Sequence, residues 1–357
     1  MVSLSSAVAA AAAAAAILDL SCLFLIVLFP TCSSALTLIT FDVDGTLVKG
    51  SGQAADNSAH ARAFSYAVGT VLGDGSNPVT PVAQALPQHE YHGSTDGLIL
   101  LRLARATLGI GDASQDENNS QPVSQETLDK LFDTMYDYIA ALEDEEVAKG
   151  IQVLPGVLDH LQTLSSMQQS TSSGSPSVSC GLVTGNVEGI ARRKMRAVGV
   201  LATGALSPPS TEQLQQKHRK WAGIDDNIGF LGGFGSDYCS RNIHDPARNY
   251  LDRGEQIAIA AKRCRMSNSD GSTQLSRVIH VGDAPADVLA AKAYSEGLLE
   301  GDKPDDSLCI GMVAVATGSY NAEQLREAAG TPIPGRWEPV VLEQGMADPD
   351  FLKSCGL

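Results

Sequence analysis

Residues 42–46 read Asp-Val-Asp-Gly-Thr and follow the apolar run Leu38-Ile39-Thr40-Phe41. Residues i and i+2 of an extended chain point to the same side, so the Asp42 and Asp44 carboxylates are expected to stand together. Like charges held that close repel, unless a cation sits between them or one takes a proton. Two further strand-like runs end in polar groups. "GLVTGN" ends in Thr184 and Asn186, and "HVGDAPAD" delivers Asp283 and Asp287. Ligands of an open parallel sheet collect outside the carboxyl ends of its strands, which is where these groups are predicted to meet. Taken singly, each has a plainer reading. A D-x-D pair can bind solvent or cap a turn. Thr184 can cap the helix expected to begin near Val187. Asn186 can be a cap or a ligand contact. Asp287 can complement a helix N-terminus.

Elements that would position these groups are visible as short runs rich in Val, Ile and Leu at 36–43, 179–183, 277–281 and 309–316. Each is closed by polar or glycine residues. Strands apolar on both faces and alternating with helices imply a parallel sheet covered on both sides. Helices are predicted at 156–164, 188–198, 254–263 and 286–293. Residues 51–150 have another texture, with helical patterns and little strand signal, and read as a helical cap over the sheet's carboxyl edge. The polar stretch "GDASQDENNSQPVS" is expected to link two of its helices. The fold class is thus α/β, a Rossmann-like parallel-sheet core (36–50 and 151–357) with an inserted α-helical cap (51–150).

A chain of 357 residues with 43% hydrophobic content can bury a sizeable core. Its formal net charge of -16 argues against a nucleic-acid partner, which would need a basic face. A small anionic substrate stays admissible, because one metal ion or one cationic side chain reverses the field locally. Residues 1–35 hold an alanine run and then "ILDLSCLFLIVLFP", short for a spanning helix and suited to a signal or targeting segment. An uncleaved anchor and a misplaced start are the alternatives. Secretory-pathway or plastid targeting is the expectation, with a cytosolic location open, and no stable membrane association of the mature domain is expected. Seven cysteines without a C-x-x-C form neither a disulfide framework nor a zinc site. They suit a reducing compartment.

"DVDGT" after an apolar strand, then strand-terminal "VTGN", then strand-terminal "GDAPAD", in that order, resembles the haloacid dehalogenase superfamily of aspartate-nucleophile hydrolases. The resemblance covers the core from Leu36 to about Ala316, with the insert where that superfamily carries a helical cap. It implies Asp42 as the nucleophile that forms an aspartyl-phosphate. It implies Asp44 as the general acid and base, and Mg2+ held by Asp42, the Asp44 carbonyl and Asp283, with Asp287 supporting. It implies a steep turn at Gly45, a loop fixed by the Thr46 hydroxyl, and Thr184 holding a phosphate oxygen, with Asn186 nearby.

The superfamily's usual lysine before proline is missing between Thr184 and Asp283. "GGFGSD", followed by Arg-x-Glu-x-x-x-Ile-Ala, looks like a subgroup with arginine there. Arg253 is therefore the expected phosphate-facing cation, with Arg248 and Lys262 as rivals and a solvated helix face as the plain alternative. In "YHGSTDG", His92, Ser94 and Thr95 either contact substrate or cap the helix that follows. The function implied is a Mg2+-dependent hydrolase of a small phosphorylated metabolite, similar to phosphoglycolate phosphatases. A phosphosugar mutase of the beta-phosphoglucomutase type and an idle binding module are the alternatives.

Overall fold

The computed structural model describes residues 34–50, 58–73, 81–91, 93–110, 123–169, 177–206, 231–267, 273–301 and 303–357. The alanine-rich leader through residue 33 and His92 lie outside the described residues. The strands are β1 (Ser34–Phe41), β2 (Val48–Gly50), β3 (Ile151–Val153), β4 (Ser177–Thr184), β5 (Gly232–Phe234), β6 (Thr273–Gly282), β7 (Cys309–Val315) and β8 (Trp337–Leu342). Six of them form one parallel sheet in the order β5-β4-β1-β6-β7-β8. The first strand opens at Ser34, two residues earlier than the sequence run implied, with Ser34 and Ala35 paired to Thr273 and Gln274. It also stops at Phe41, short of Val43.

Position β1 at the centre explains why its residues are apolar on both faces. Ile39 and Phe41 pack with Val157 and Leu161 of α5 (Val157–Gln169) and with Phe351. Leu36 and Leu38 pack on the other face, with Ile257 and Ala261 of α7 (Arg248–Ser267) and Val288 and Ala291 of α8 (Pro285–Glu296). Burying a leucine or phenylalanine side chain is worth roughly 1.5–3 kcal/mol, so the sheet is held from both sides. The result is the expected α/β architecture, with a Rossmann-like parallel sheet.

Between β2 and β3 the chain builds a helical layer. It holds α1 (Ala59–Leu72), α2 (Asp96–Thr107), α3 (Gln125–Ala140) and α4 (Asp144–Ala148). The chain leaves and re-enters the core through an antiparallel ladder, Val48 opposite Val153 and Gly50 opposite Ile151. Ser58, Thr95 and Ser124 cap α1, α2 and α3 through their side chains, each satisfying a backbone N–H that the helix leaves open. The layer has its own apolar centre, including Ala63, Leu98, Leu101, Leu131 and Met135. Val187 and Ile190, the latter on α6 (Glu188–Ala197), belong to that cluster and join the layer to the core.

Strands β5 and β8 carried too little pattern to be foreseen. β5 is Gly-Gly-Phe, without the β-branched residues that mark a strand. A Cβ on Gly233 would lie 1.9 Å from the Gln256 carbonyl oxygen, so glycine lets α7 press against the strand. Arg263 fixes the same strand, donating to the Gly232 carbonyl at 2.9 Å and pairing with Asp237 at 2.7 Å. Helix α7 also begins at Arg248, earlier than predicted, because its first turns bury Asp252, Arg253 and Glu255 instead of apolar side chains. Among the described residues, no helix is long and apolar enough to cross a membrane. Gly233→Ala should lower stability by about 1–3 kcal/mol through overpacking, read from chemical denaturation; an unchanged midpoint would show that α7 and β5 can separate freely.

Candidate active site

The ends of β1, β4 and β6 face one cavity of about 420 Å³. All seven site residues expected from sequence line it: Asp42, Asp44, Thr184, Asn186, Arg253, Asp283 and Asp287. Asp42 follows β1 directly, and its N–H donates to the Val281 carbonyl at 2.8 Å. Its buried carboxylate meets Arg253 Nη1 at 2.9 Å. The same guanidinium nitrogen binds Asp287 Oδ1. Asp283 and Asp287 complete a buried cluster with Asp42, in which one carboxylate oxygen from each lies within 4.8 Å of the others.

Charge in this cluster is unevenly held. Burial pushes the Asp42 carboxyl up to about 7; the Arg253 guanidinium opposes this, while Asp287 and Asp44 add to it. Burial likewise drives Asp283 well above the usual carboxylate range, and the charges of Asp287 and Asp42 drive it further. Burial also works against ionisation of Asp287. There Arg253, His280 and backbone N–H groups prevail and hold it well below the usual range. Those backbone donors are Asp283 N at 3.1 Å and Ala284 N at 3.0 Å, so Asp287 both closes the start of α8 and supports the cluster. Three buried carboxyl groups outnumber the one guanidinium among them. A divalent hard cation with oxygen preference suits that donor set, and Asp42, Asp283 and Asp287 are the side chains that would hold it.

Asp42 and Asp44 line the same cavity, as expected, but in different environments. The ladder ends at Phe41, and Gly45 turns the chain at φ +94°, so the alternation of an extended strand no longer applies. Asp42 points into the buried cluster, whereas the Asp44 side chain is 53% exposed. Asp44 is gripped by Lys194, whose Nζ donates to both of its oxygens at 2.7 Å. Asn186 bridges the pair, donating to Asp44 at 3.3 Å and accepting from Lys194 at 3.0 Å. Desolvation raises the Asp44 carboxyl, but Lys194, His60 and Asn186 together prevail and hold it below its ordinary value. Thr46 donates to Asp283 Oδ1 at 3.3 Å, so it ties its loop to the cluster, while Thr317 holds the Gly45 carbonyl at 2.6 Å.

Thr184 is buried at the end of β4, and its hydroxyl oxygen accepts from Asn186 N at 3.4 Å. Of the cations weighed from sequence, Arg253 is the one in the cavity. Arg248 pairs with Glu300 at 2.5 Å, and Lys262 is exposed and absent from the lining. Thr95 caps α2, and Ser94 donates to Asn249 at 3.1 Å while lining the cavity.

Four participants were missed. Lys194 sits on the buried face of α6 with Ile190, Ala191 and Met195; a lysine in an apolar i, i+3, i+4 series was the available signal. His60 and Asp96 of the helical layer bond at 3.2 Å, and Asp96 also accepts from Val187 N at 2.8 Å. No local pattern marks that meeting. Gly318 presses on the cluster, since a Cβ there would lie 1.6 Å from Asp283 Oδ2.

Comparison with known proteins gives the class. The family described as haloacid dehalogenase-like hydrolase matches residues 36–294. The chain therefore belongs to the haloacid dehalogenase-like hydrolases, and it is an enzyme of that hydrolase class. Solved structures similar to it include a hydrolase from Pseudomonas syringae, at 16% identity over 83% of this chain and 90% of that one, TM-score 0.39. Another is a Bacteroides vulgatus protein assigned as a beta-phosphoglucomutase, at 12% identity over 91% and 90%, TM-score 0.41. A third is a predicted phosphatase from Clostridium acetobutylicum, at 14% identity over 86% and 93%, TM-score 0.36. No curated protein matches the chain.

Gly318→Ala is expected to displace the Asp283 carboxylate and to lower kcat/KM for a hydrolysed substrate about 10- to 100-fold, as loss of a ligand's support does. Steady-state kinetics beside a thermal melt would check it, and wild-type kinetics with an unchanged melt would contradict the contact.

Proposed function

We propose that this chain is a Mg2+-dependent phosphomonoester hydrolase that turns over a small phosphorylated metabolite through an aspartyl-phosphate on Asp42. What carries this reading is the meeting of the Asp42 carboxylate, the Arg253 guanidinium and the Thr184 hydroxyl in one cavity with two further buried acids. A bound divalent ion would neutralise charge on the phosphoryl oxygens.

The chain's own groups divide the remaining work. Asp42 Oδ attacks phosphorus, the bond to the ester oxygen breaks, and the departing alkoxide takes a proton from Asp44. Water then attacks the aspartyl-phosphate after giving a proton to Asp44, which frees inorganic phosphate and restores Asp42. Arg253 offers a fixed, permanently charged fork to the phosphoryl group. Thr184 offers a hydroxyl at the adjacent strand end. In the resting site Lys194 keeps Asp44 ionised, the form that activates water. The first step needs Asp44 protonated, so substrate entry has to loosen the Lys194 grip. Lys194 acts through Asp44 and is a positioning residue.

Asp42→Asn should cut phosphate release from aryl phosphates by about three orders of magnitude or more while the circular dichroism spectrum is retained. Chelation of Mg2+ should give a comparable loss in the unmutated enzyme. Persistence of turnover in the variant would remove Asp42 from the mechanism. Lys194→Met should lower kcat by about tenfold or more, with a smaller change in KM, because Asp44 loses its anchor. A loss confined to KM would instead make Lys194 a substrate-binding cation.

A further inference from the structure

The cavity has two unlike walls. The sheet side carries the acids, Arg253, Lys194 and Thr184. The side formed by the helical layer presents Ala61, Phe64, Val82, Ala83, Tyr91 and Ile99, beside the hydroxyls of Ser58 and Ser94, which cap α1 and bond Asn249. Among the described residues, no lysine or arginine of the helical layer lines the cavity. The layer's cations are engaged elsewhere. Arg62 pairs with Glu146, Lys130 with Glu126 and Lys149 with Glu146. Arg105 donates to the Ile110 carbonyl. Arg102 is buried against Ser94, Asn249 and the Glu90 carbonyl. Residues 51–150 contain five Lys and Arg against fifteen Asp and Glu, so the layer as a whole repels anions. The wall's ionisable pair, His60 and Asp96, is closed on itself and on Val187 N. Of the three lining cations, Arg253 and Lys194 face acids of the sheet side. Lys49 is exposed and donates to the Thr317 carbonyl on the core side.

We propose that the preferred substrates are phosphomonoesters of an uncharged, largely apolar alcohol, whose body lies against Phe64, Val82, Tyr91 and Ile99. The assignment rests on the phosphomonoesterase reading above and narrows it. A second anionic group on the substrate, a carboxylate or another phosphate, would lose its water at this wall, which offers no lysine or arginine of its own among the described residues in exchange; Lys49 stands exposed on the core side. An apolar body gains by leaving water there. Esters of hydroxy acids and sugar bisphosphates are accordingly poor fits, which separates this site from the phosphoglycolate phosphatase and mutase readings raised by the sequence.

The test compares esters matched in size and in leaving-group basicity, using the full chain with Mg2+. Benzyl phosphate is set against 4-carboxybenzyl phosphate, and butyl phosphate against 3-carboxypropyl phosphate, with phosphate release as the readout. The apolar member of each pair should have a kcat/KM at least tenfold higher, expressed chiefly in KM. Ala83→Lys, a change at an exposed position on the wall's edge, should narrow both ratios severalfold. Turnover of each pair at equal rates, a preference for the carboxylates, or ratios untouched by Ala83→Lys would overturn the proposal while leaving the phosphomonoesterase reading intact. Absence of turnover with every ester would overturn both.

Discussion

The buried acids of the cavity are arranged around one guanidinium. Arg253 lies buried between Asp42 and Asp287, close enough to neutralise both. Burying a carboxylate without a partner is costly enough that it would take a proton instead. Arginine meets that demand without itself titrating, because two nearby carboxylates only strengthen its hold on the proton. The single positive charge does not balance three acids. Burial, and then the charges of Asp287 and Asp42, push Asp283 toward its neutral form. A site built this way is short of positive charge until something cationic enters it.

Close backbone approach is the second constraint. Asp283 is wedged between Gly45 and Gly318, where added Cβ atoms would lie 2.3 Å and 1.6 Å from its oxygen. Gly185 does the same for the helical layer, since a Cβ there would meet the Ser94 carbonyl at 2.6 Å and Arg253 Nη2 at 3.2 Å. The layer is seated on that loop by two further bonds, Asp96 N to Gly185 O at 2.8 Å and Val187 N to Asp96 Oδ2 at 2.8 Å. Asp96 is thus a contact to the core as well as the start of α2. The loop after β4 therefore serves both the cavity-lining Thr184 and Asn186 and the docking of the layer, which couples the seat of the wall to the side chains beneath it.

The core of this design was legible in the chain itself, because its parts are local. An apolar run followed by Asp-Val-Asp-Gly-Thr specifies a buried strand, a turn and two acids within a few residues. The runs before Thr184 and Asp283 do the same, and parallel order then brings the three ends to one edge. Helical periodicity and the cap at Thr95 needed no distant partner to be formed. Where local pattern is weak, the segment's structure depends on distant partners. Gly232–Phe234 forms a strand only because α7 and Arg263 hold it.

Tertiary structure decided the rest, since those relations join residues far apart in the chain. Lys194 and Asp44 are separated by 150 positions, and their pairing gives Asp44 a cationic partner of its own, distinct from the Arg253 that meets Asp42. Gly318 reaches Asp283 from the loop after β7, and His60 finds Asp96 across two helices. A sequence states which side chains are available and which local shape each segment prefers. Which charges neutralise one another, and which wall a bound molecule touches, follow only from packing, because electrostatic and steric energies depend on distance in space and not on separation along the chain.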